Sequence, residues 1–165
     1  MISTATKIED LTLNITEEIH VRAPLDLTFA ALLEQLGPLN EVAADRPLPM
    51  KLEPWPGGRW YRDLGDNNGH FWGHVQAIKR PTLLEISGPL LMSYPIANNL
   101  QYRLSESDGG TLIKFHHAAF GLIREGDGHV SPHTFRAHAG SGWSYNHARL
   151  KERAEALSAG TATAR

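Results

Sequence analysis

Three residues, Tyr102, His117 and His147, combine the type and the spacing needed to meet inside this molecule and exchange protons. His147 falls on a stripe of Trp143, His147, Leu150, Ala154 and Leu157, whose helical spacing puts all five on one face. His117 continues the alternation of Ile113 and Phe115 along a strand, and Tyr102 that of Leu100 and Leu104, so both point inward. An imidazole titrates near neutral pH and a phenol donates hydrogen bonds, so the set offers a general acid and a general base. The same groups equally suit a buried network in which each satisfies the next. Both readings stay open. Together with Trp60, Leu100, Phe115, Trp143 and Leu150, these residues form the candidate lining of a small-molecule cavity. The tryptophans also have a plain use as core fillers.

Other chemistries find less support. The chain has nine histidines, but their spacing does not build a metal site. His116 and His117 are adjacent on a strand and face opposite ways, and His70 and His74 stand about 13 Å apart along one. His133 and His138 are separated by about 140° round a helix, and His138 and His147 by about 180°. No native metal and no cofactor is expected. There is no cysteine, which excludes thiolate ligands, disulfides and cysteine nucleophiles. Ser141 in Gly140-Ser141-Gly142 lacks the flanks of a nucleophile elbow, and no phosphate-binding Gly-x-x-x-x-Gly-Lys occurs. The adjacent Glu17 and Glu18 diverge on a strand and read as surface charges. With 16 Lys plus Arg against 18 Asp plus Glu and no basic cluster, neither nucleic acid nor a membrane surface is an expected partner.

The elements that must position these groups follow from periodicity. Leu11 to Val21 alternates as a strand with one buried face, broken only by the glutamate pair. Ala23-Pro24 stops it, and Leu25, Phe29, Leu32, Leu33 and Leu36 predict an amphipathic helix over 25–36. Gly37-Pro38 ends that helix, and a second short helix is expected over 39–44. Short strands divided by turn residues then imply an antiparallel meander, with segments at 50–53, 59–64, 71–79, 82–87, 97–105 and 110–119. Glu106-Ser107-Asp108-Gly109 should join the last two. Ser131-Pro132 suits the start of a terminal helix running to about Leu157. Gly140 and Gly142 either loosen that helix or permit close packing. One domain is expected over 11–157, with flexible ends at 1–10 and 158–165. No segment approaches the ~20 apolar residues of a membrane span. Without a recognisable signal peptide, the cytoplasm is the expected location.

Five motifs in order carry a resemblance. They are Ile19-His20-Val21-Arg22-Ala23-Pro24 with Phe29 and Leu32; Gly57-Gly58-Arg59-Trp60; Gly73 and Val75 with Pro81 and Leu83; Gly109-Gly110-Thr111 with His116-His117; and Gly142-Trp143 with Leu150. In this order the chain resembles the START-like, or Bet v 1-like, helix-grip superfamily (SRPBCC), in the branch named for the activator of heat-shock protein 90 ATPase homologue. It departs from that branch in lacking a Trp after the first helix and in a Gly- and His-containing insertion over 120–133. The resemblance implies an α+β fold. A curved antiparallel sheet of about six or seven strands wraps a long C-terminal helix, with two short helices after the first strand. It also implies a hydrophobic cavity between sheet and helix.

The leading expectation is therefore a carrier or sensor of a small apolar molecule, without turnover. A cyclase- or dehydratase-like enzyme using His147, His117 and Tyr102 is the alternative. The third is an interaction module, chaperone-related or a homodimer. The loop residues Leu90, Leu91, Met92 and Tyr94 are too apolar for simple exposure, and serve as a cavity lid or a dimer contact.

Overall fold

Strand β1 (Thr12–Val21) keeps the alternation of its sequence, with Leu13, Ile19 and Val21 buried and Ile15 and Glu17 partly covered on the same face. The structure is a computed structural model and describes residues 8–44, 46–90, 96–121, 124–125, 128–129 and 132–163. Helix α1 (Leu25–Leu36) begins directly after Pro24 and buries Phe29, Leu32 and Leu36. Pro24 fits just before a helix, since its fixed φ and missing N–H cost nothing there. Thr28 Oγ1 donates to the Pro24 carbonyl at 3.0 Å and helps fasten that first turn.

The second short helix does not form. Its place is taken by a hairpin of β2 (Glu41–Ala43) and β3 (Arg46–Pro47). Two partners draw the backbone there out of helical geometry. Leu48 N–H bonds the Asn40 carbonyl at 2.8 Å, and the Asn40 amide returns a bond to the Leu48 carbonyl at 3.1 Å. From the far end of the chain, Asn146 Nδ2 donates to the Glu41 carbonyl at 2.6 Å. Between Pro38 and Pro47 there is little room for a helix to outweigh these bonds.

The meander follows as β4 (Lys51–Leu52), β5 (Arg59–Gly65), β6 (Asn68–Lys79), β7 (Leu83–Gly88), β8 (Ile96–Ser107) and β9 (Gly110–Gly121). One seven-stranded sheet results, in the order β1-β9-β8-β7-β6-β5-β4, antiparallel throughout. Asp108 and Gly109, both at positive φ, turn β8 into β9 with the twist a two-residue hairpin needs. The Trp55-Pro56-Gly57-Gly58 turn is equally constrained. Gly57 sits at φ +82°, and a Cβ on Gly58 would meet the Glu53 carbonyl oxygen at 2.0 Å.

The 120–133 insertion includes a small ladder of β10 (Arg124–Glu125) and β11 (Gly128–His129). Helix α2 (Pro132–Thr163) then crosses the sheet, packing on β1, β2 and α1. It continues six residues past Leu157, which is exposed, while Asn146, His147, Leu150 and Ala154 are buried. The core lies between α1, α2 and the sheet's inner face. Among the described residues no helix is long and apolar enough to cross a membrane. The lid candidates Leu91, Met92 and Tyr94, the Ser131 cap and the extreme termini lie outside the described residues.

Candidate functional site

Sheet alternation and helix periodicity bring five of the candidates together. β8 supplies Tyr102, β9 supplies Phe115 and His117, and α2 supplies Trp143 and His147. Phe115 lies at the centre, its ring centroid 4.8 Å from Tyr102, 5.1 Å from Trp143 and 4.6 Å from His147. Two hydrogen-bonded chains flank it.

The first chain runs from the rim inward. His147 Nδ1 donates to Glu17 Oε2 at 2.7 Å, and Tyr102 Oη lies 3.3 Å from His147 Nε2. A proton on Nδ1 leaves Nε2 as acceptor for the phenol, so the carboxylate selects the tautomer. The bond from His147 holds the Glu17 carboxyl below its ordinary range, against the opposing effect of partial burial. Burial, reinforced by the Glu17 charge, pushes the Tyr102 phenol well up, so it stays protonated.

In the second chain, Trp143 Nε1–H donates to His117 Nδ1 at 3.1 Å. An indole nitrogen only donates, so His117 carries its proton on Nε2, which gives it to Asn98 Oδ1 at 2.9 Å. Asn98 Nδ2 passes the chain to the Gly88 carbonyl at 3.2 Å. Burial first, then the neighbouring His116, lowers the His117 pKa to about 4 and keeps the ring neutral.

The remaining candidates are placed differently. Leu100 is buried under the same sheet face, and Leu150 is buried on the helix beyond His147. Trp60 is buried and takes part in neither chain. Its Nε1–H donates to the Leu36 carbonyl at 2.6 Å, and its ring meets Trp72 edge-on with centroids 5.0 Å apart. Leu90 is buried at φ +54°, with its N–H on the Trp72 carbonyl at 2.9 Å.

Glu17 corrects an expectation. Glu18 is the surface charge, facing Lys114 at 3.3 Å, whereas Glu17 turns inward with its side chain 29% exposed and joins His147. Its inward register with Leu13, Ile15, Ile19 and Val21 was the available signal. Asn98 was also missed, although it shares the inward phase of Leu100, Tyr102 and Leu104.

Two open grooves of roughly equal size mark the surface. One, of about 710 Å³, runs between α1 and α2 past Gln35, Leu39, Arg149, Arg153 and Leu157. The other, of about 720 Å³, passes Gln76, Ser87, Asn98, Asn99 and Phe120. Neither is lined by Tyr102, Phe115, His117, Trp143 or His147, which pack on one another instead. Among the described residues no three His, Asp or Glu side chains stand close enough to hold a metal ion.

Solved structures share this architecture. The Aha1 dimer from Colwellia psychrerythraea matches with a TM-score of 0.60, over 87% of this chain and 96% of its own, at 16% identity. The protein has the helix-grip fold. The same grip occurs in CalU16 from Micromonospora echinospora, at a TM-score of 0.57 over 84% of this chain and 71% of that one, with 22% identity. It also occurs in the di-domain ARO/CYC StfQ from the steffimycin biosynthetic pathway, at a TM-score of 0.64 and 14% identity. That match covers 91% of this chain and 53% of StfQ, so the chain spans about half of the di-domain protein. They share the helix-grip fold to which the ordered motifs pointed. No family model matches the sequence, and no curated protein matches it either.

Proposed function

We propose that the protein binds a small, uncharged, largely apolar molecule between the inner sheet face and α2, as a carrier or sensor without turnover. The observation that carries this reading is the character of the interior. Among the side chains described no Asp, Glu, Lys or Arg is buried, and the buried polar side chains include amides, threonines and two histidines with both ring nitrogens engaged. Such an interior rejects an ion and has no idle acid or base to offer. At the end of the sheet where β8 begins and β9 ends, Leu13, Trp72, Leu90, Ile96 and Ala119 are buried beside Asn98, a mainly apolar interior against which such an occupant would pack. Thermal unfolding against a panel of neutral and charged hydrophobic compounds tests this. A neutral ligand at 100 times its Kd should add about 2.7 kcal/mol and raise Tm by several degrees. If no neutral compound moves Tm, the reading fails.

One observation favours a second reading, a cyclase- or dehydratase-like enzyme. Glu17, His147 and Tyr102 form a carboxylate–imidazole–phenol series that could relay a proton. That reading requires Tyr102, 1% exposed, to become accessible to substrate. Dehydration of a model β-hydroxyketone by the wild type, abolished in Tyr102→Phe, would support it; equal rates in both would end it. Likeness to a protein solved as a dimer also makes self-association worth measuring, and sedimentation as a monomer at high concentration would dismiss it.

A further inference from the structure

Two tryptophans touch in the core and differ in one respect. Trp60 and Trp72 meet edge to face at 78°, and both are buried. Trp60 gives its indole N–H to the Leu36 carbonyl, but Trp72 Nε1 has no acceptor. Among the described residues it is the one buried side-chain nitrogen or oxygen without a partner, and Trp72 is only 8% exposed. Buried donors are nearly always paired, because a lone one forfeits the bond it made with water. An unmatched donor in an otherwise satisfied interior therefore calls for an acceptor from outside the chain.

The surroundings restrict what that acceptor is. Trp72 stands on the inner sheet face, where β6 and β7 approach so closely that a Cβ on Gly88 would come within 2.4 Å of both Gly73 Cα and the Trp72 carbonyl oxygen. Leu90 is fastened to that same carbonyl at positive φ, a costly conformation for a leucine. Gly88 also takes the end of the chain that leaves Trp143 through His117 and Asn98. Trp72 thus belongs to an apolar cluster, and among the side chains described no buried Lys or Arg stands ready to balance an anion.

We propose that Trp72 Nε1–H is the polar anchor of the bound molecule, and that the occupant is a neutral carbonyl compound whose oxygen accepts that hydrogen bond. This rests on the apolar-binding reading above and names the ligand class it would select. Carboxylic acids are disfavoured because their charge would go unpaired. Plain hydrocarbons are disfavoured because they leave the donor unmatched.

The test uses a matched pair of probes, 2-propionylnaphthalene and 2-propylnaphthalene, which differ only in the ketone. Each is titrated into the 165-residue chain while the indole N–H signals of its four tryptophans are followed by ¹H–¹⁵N NMR. The ketone should bind about fivefold to tenfold more tightly than the hydrocarbon, the usual reach of one hydrogen bond. The Trp72 indole proton should move downfield with the ketone alone. Trp72→Phe should equalise the two affinities while still binding the hydrocarbon, and Trp60→Phe should keep the preference. Should Trp72→Phe fail to fold, the wild-type indole shift, assigned through its contacts to Trp60, decides the matter. Equal affinities with an unmoved Trp72 signal would overturn the carbonyl anchor and leave the apolar-binding reading standing. No binding of either probe would overturn both.

Discussion

Glu17 on β1 and His147 on α2, 130 residues apart in sequence, meet at 2.7 Å between carboxylate and imidazole Nδ1. The bond ties the middle of the gripped helix to the first strand, at the edge of the sheet beside β9. It also orients the ring, so that Nε2 faces Tyr102 on β8. One carboxylate therefore sets the position of two further side chains and joins three elements across the core.

Replacing Glu17 by Gln keeps the shape and removes the charge. We expect a loss of about 1 kcal/mol at pH 7, below the usual range for a hydrogen bond to a charged group because Glu17 is partly open to solvent. Since the folded-state pKa is lowered, the wild type keeps this contribution above the ordinary carboxyl range near 4.5 and loses it as the pH falls through the folded value. Urea unfolding from pH 7 to 3 should show that loss in the wild type and its absence in Glu17→Gln. Glu18→Gln, at an exposed pair, should change stability by less than about 0.5 kcal/mol.

His117 should govern a separate and less acidic window. Its folded pKa of about 4 lies below the ordinary 6.5, so the unfolded chain binds the extra proton between these values. Its contribution is complete above about pH 6.5 and declines as the pH falls to about 4, by at most about 3 kcal/mol. In His117→Leu that part of the slope should vanish. The variant should also be less stable at pH 7.5 by about 1–3 kcal/mol, because Trp143 Nε1 and Asn98 Oδ1 lose their partner. An unchanged pH slope would mean that His117 does not titrate in this way.

These two residues also show how far local pattern reaches. His117 was legible because the alternation with Ile113 and Phe115 states which way a strand residue points. Glu17 obeyed the same rule from Leu13 to Val21, but a charge beside another charge suggests solvent, and the imidazole that changes this lies on the last helix. The hairpin at 41–47 was hidden for the same reason. Local composition there permits a helix, and the amide of Asn146 that helps to decide otherwise is about a hundred residues away. The fold followed from turns, periodicities and motif order, which are local or repeated. The partners of individual polar groups are tertiary facts. The unmatched N–H of Trp72 is of that kind, since nothing in the sequence separates it from Trp60.

Gly140 and Gly142 lie inside α2, and among the described residues a Cβ built on either meets nothing within 4 Å. Close packing against the described residues is therefore not their purpose. Alanine at each position should stabilise the protein by about 0.5–1 kcal/mol, through higher helix propensity and a less flexible unfolded chain. Thermal unfolding of the single and double variants checks this. A loss of stability at either site would show that the helix needs a glycine there for a reason other than space.

Asn146 provides the sharpest test of how the β2–β3 hairpin is held. Its Oδ1 accepts from Gln35 Nε2 at 3.0 Å, while its Nδ2 reaches the Glu41 carbonyl at 2.6 Å and the Gly142 carbonyl at 3.2 Å. One buried amide thus links α1, the hairpin and α2. Asn146→Leu, close to it in size, leaves Gln35 with its bond to the Leu39 carbonyl but strips the Glu41 carbonyl of this donor. We expect a loss of about 2–3 kcal/mol, because polar groups are left without partners in a buried setting. Hydrogen exchange should localise the effect, with faster exchange at Leu48, whose N–H closes the hairpin on the Asn40 carbonyl, and little change in the β8–β9 pair. Uniform acceleration across the whole sheet would instead mean that Asn146 supports global stability and that the hairpin has no separate hold.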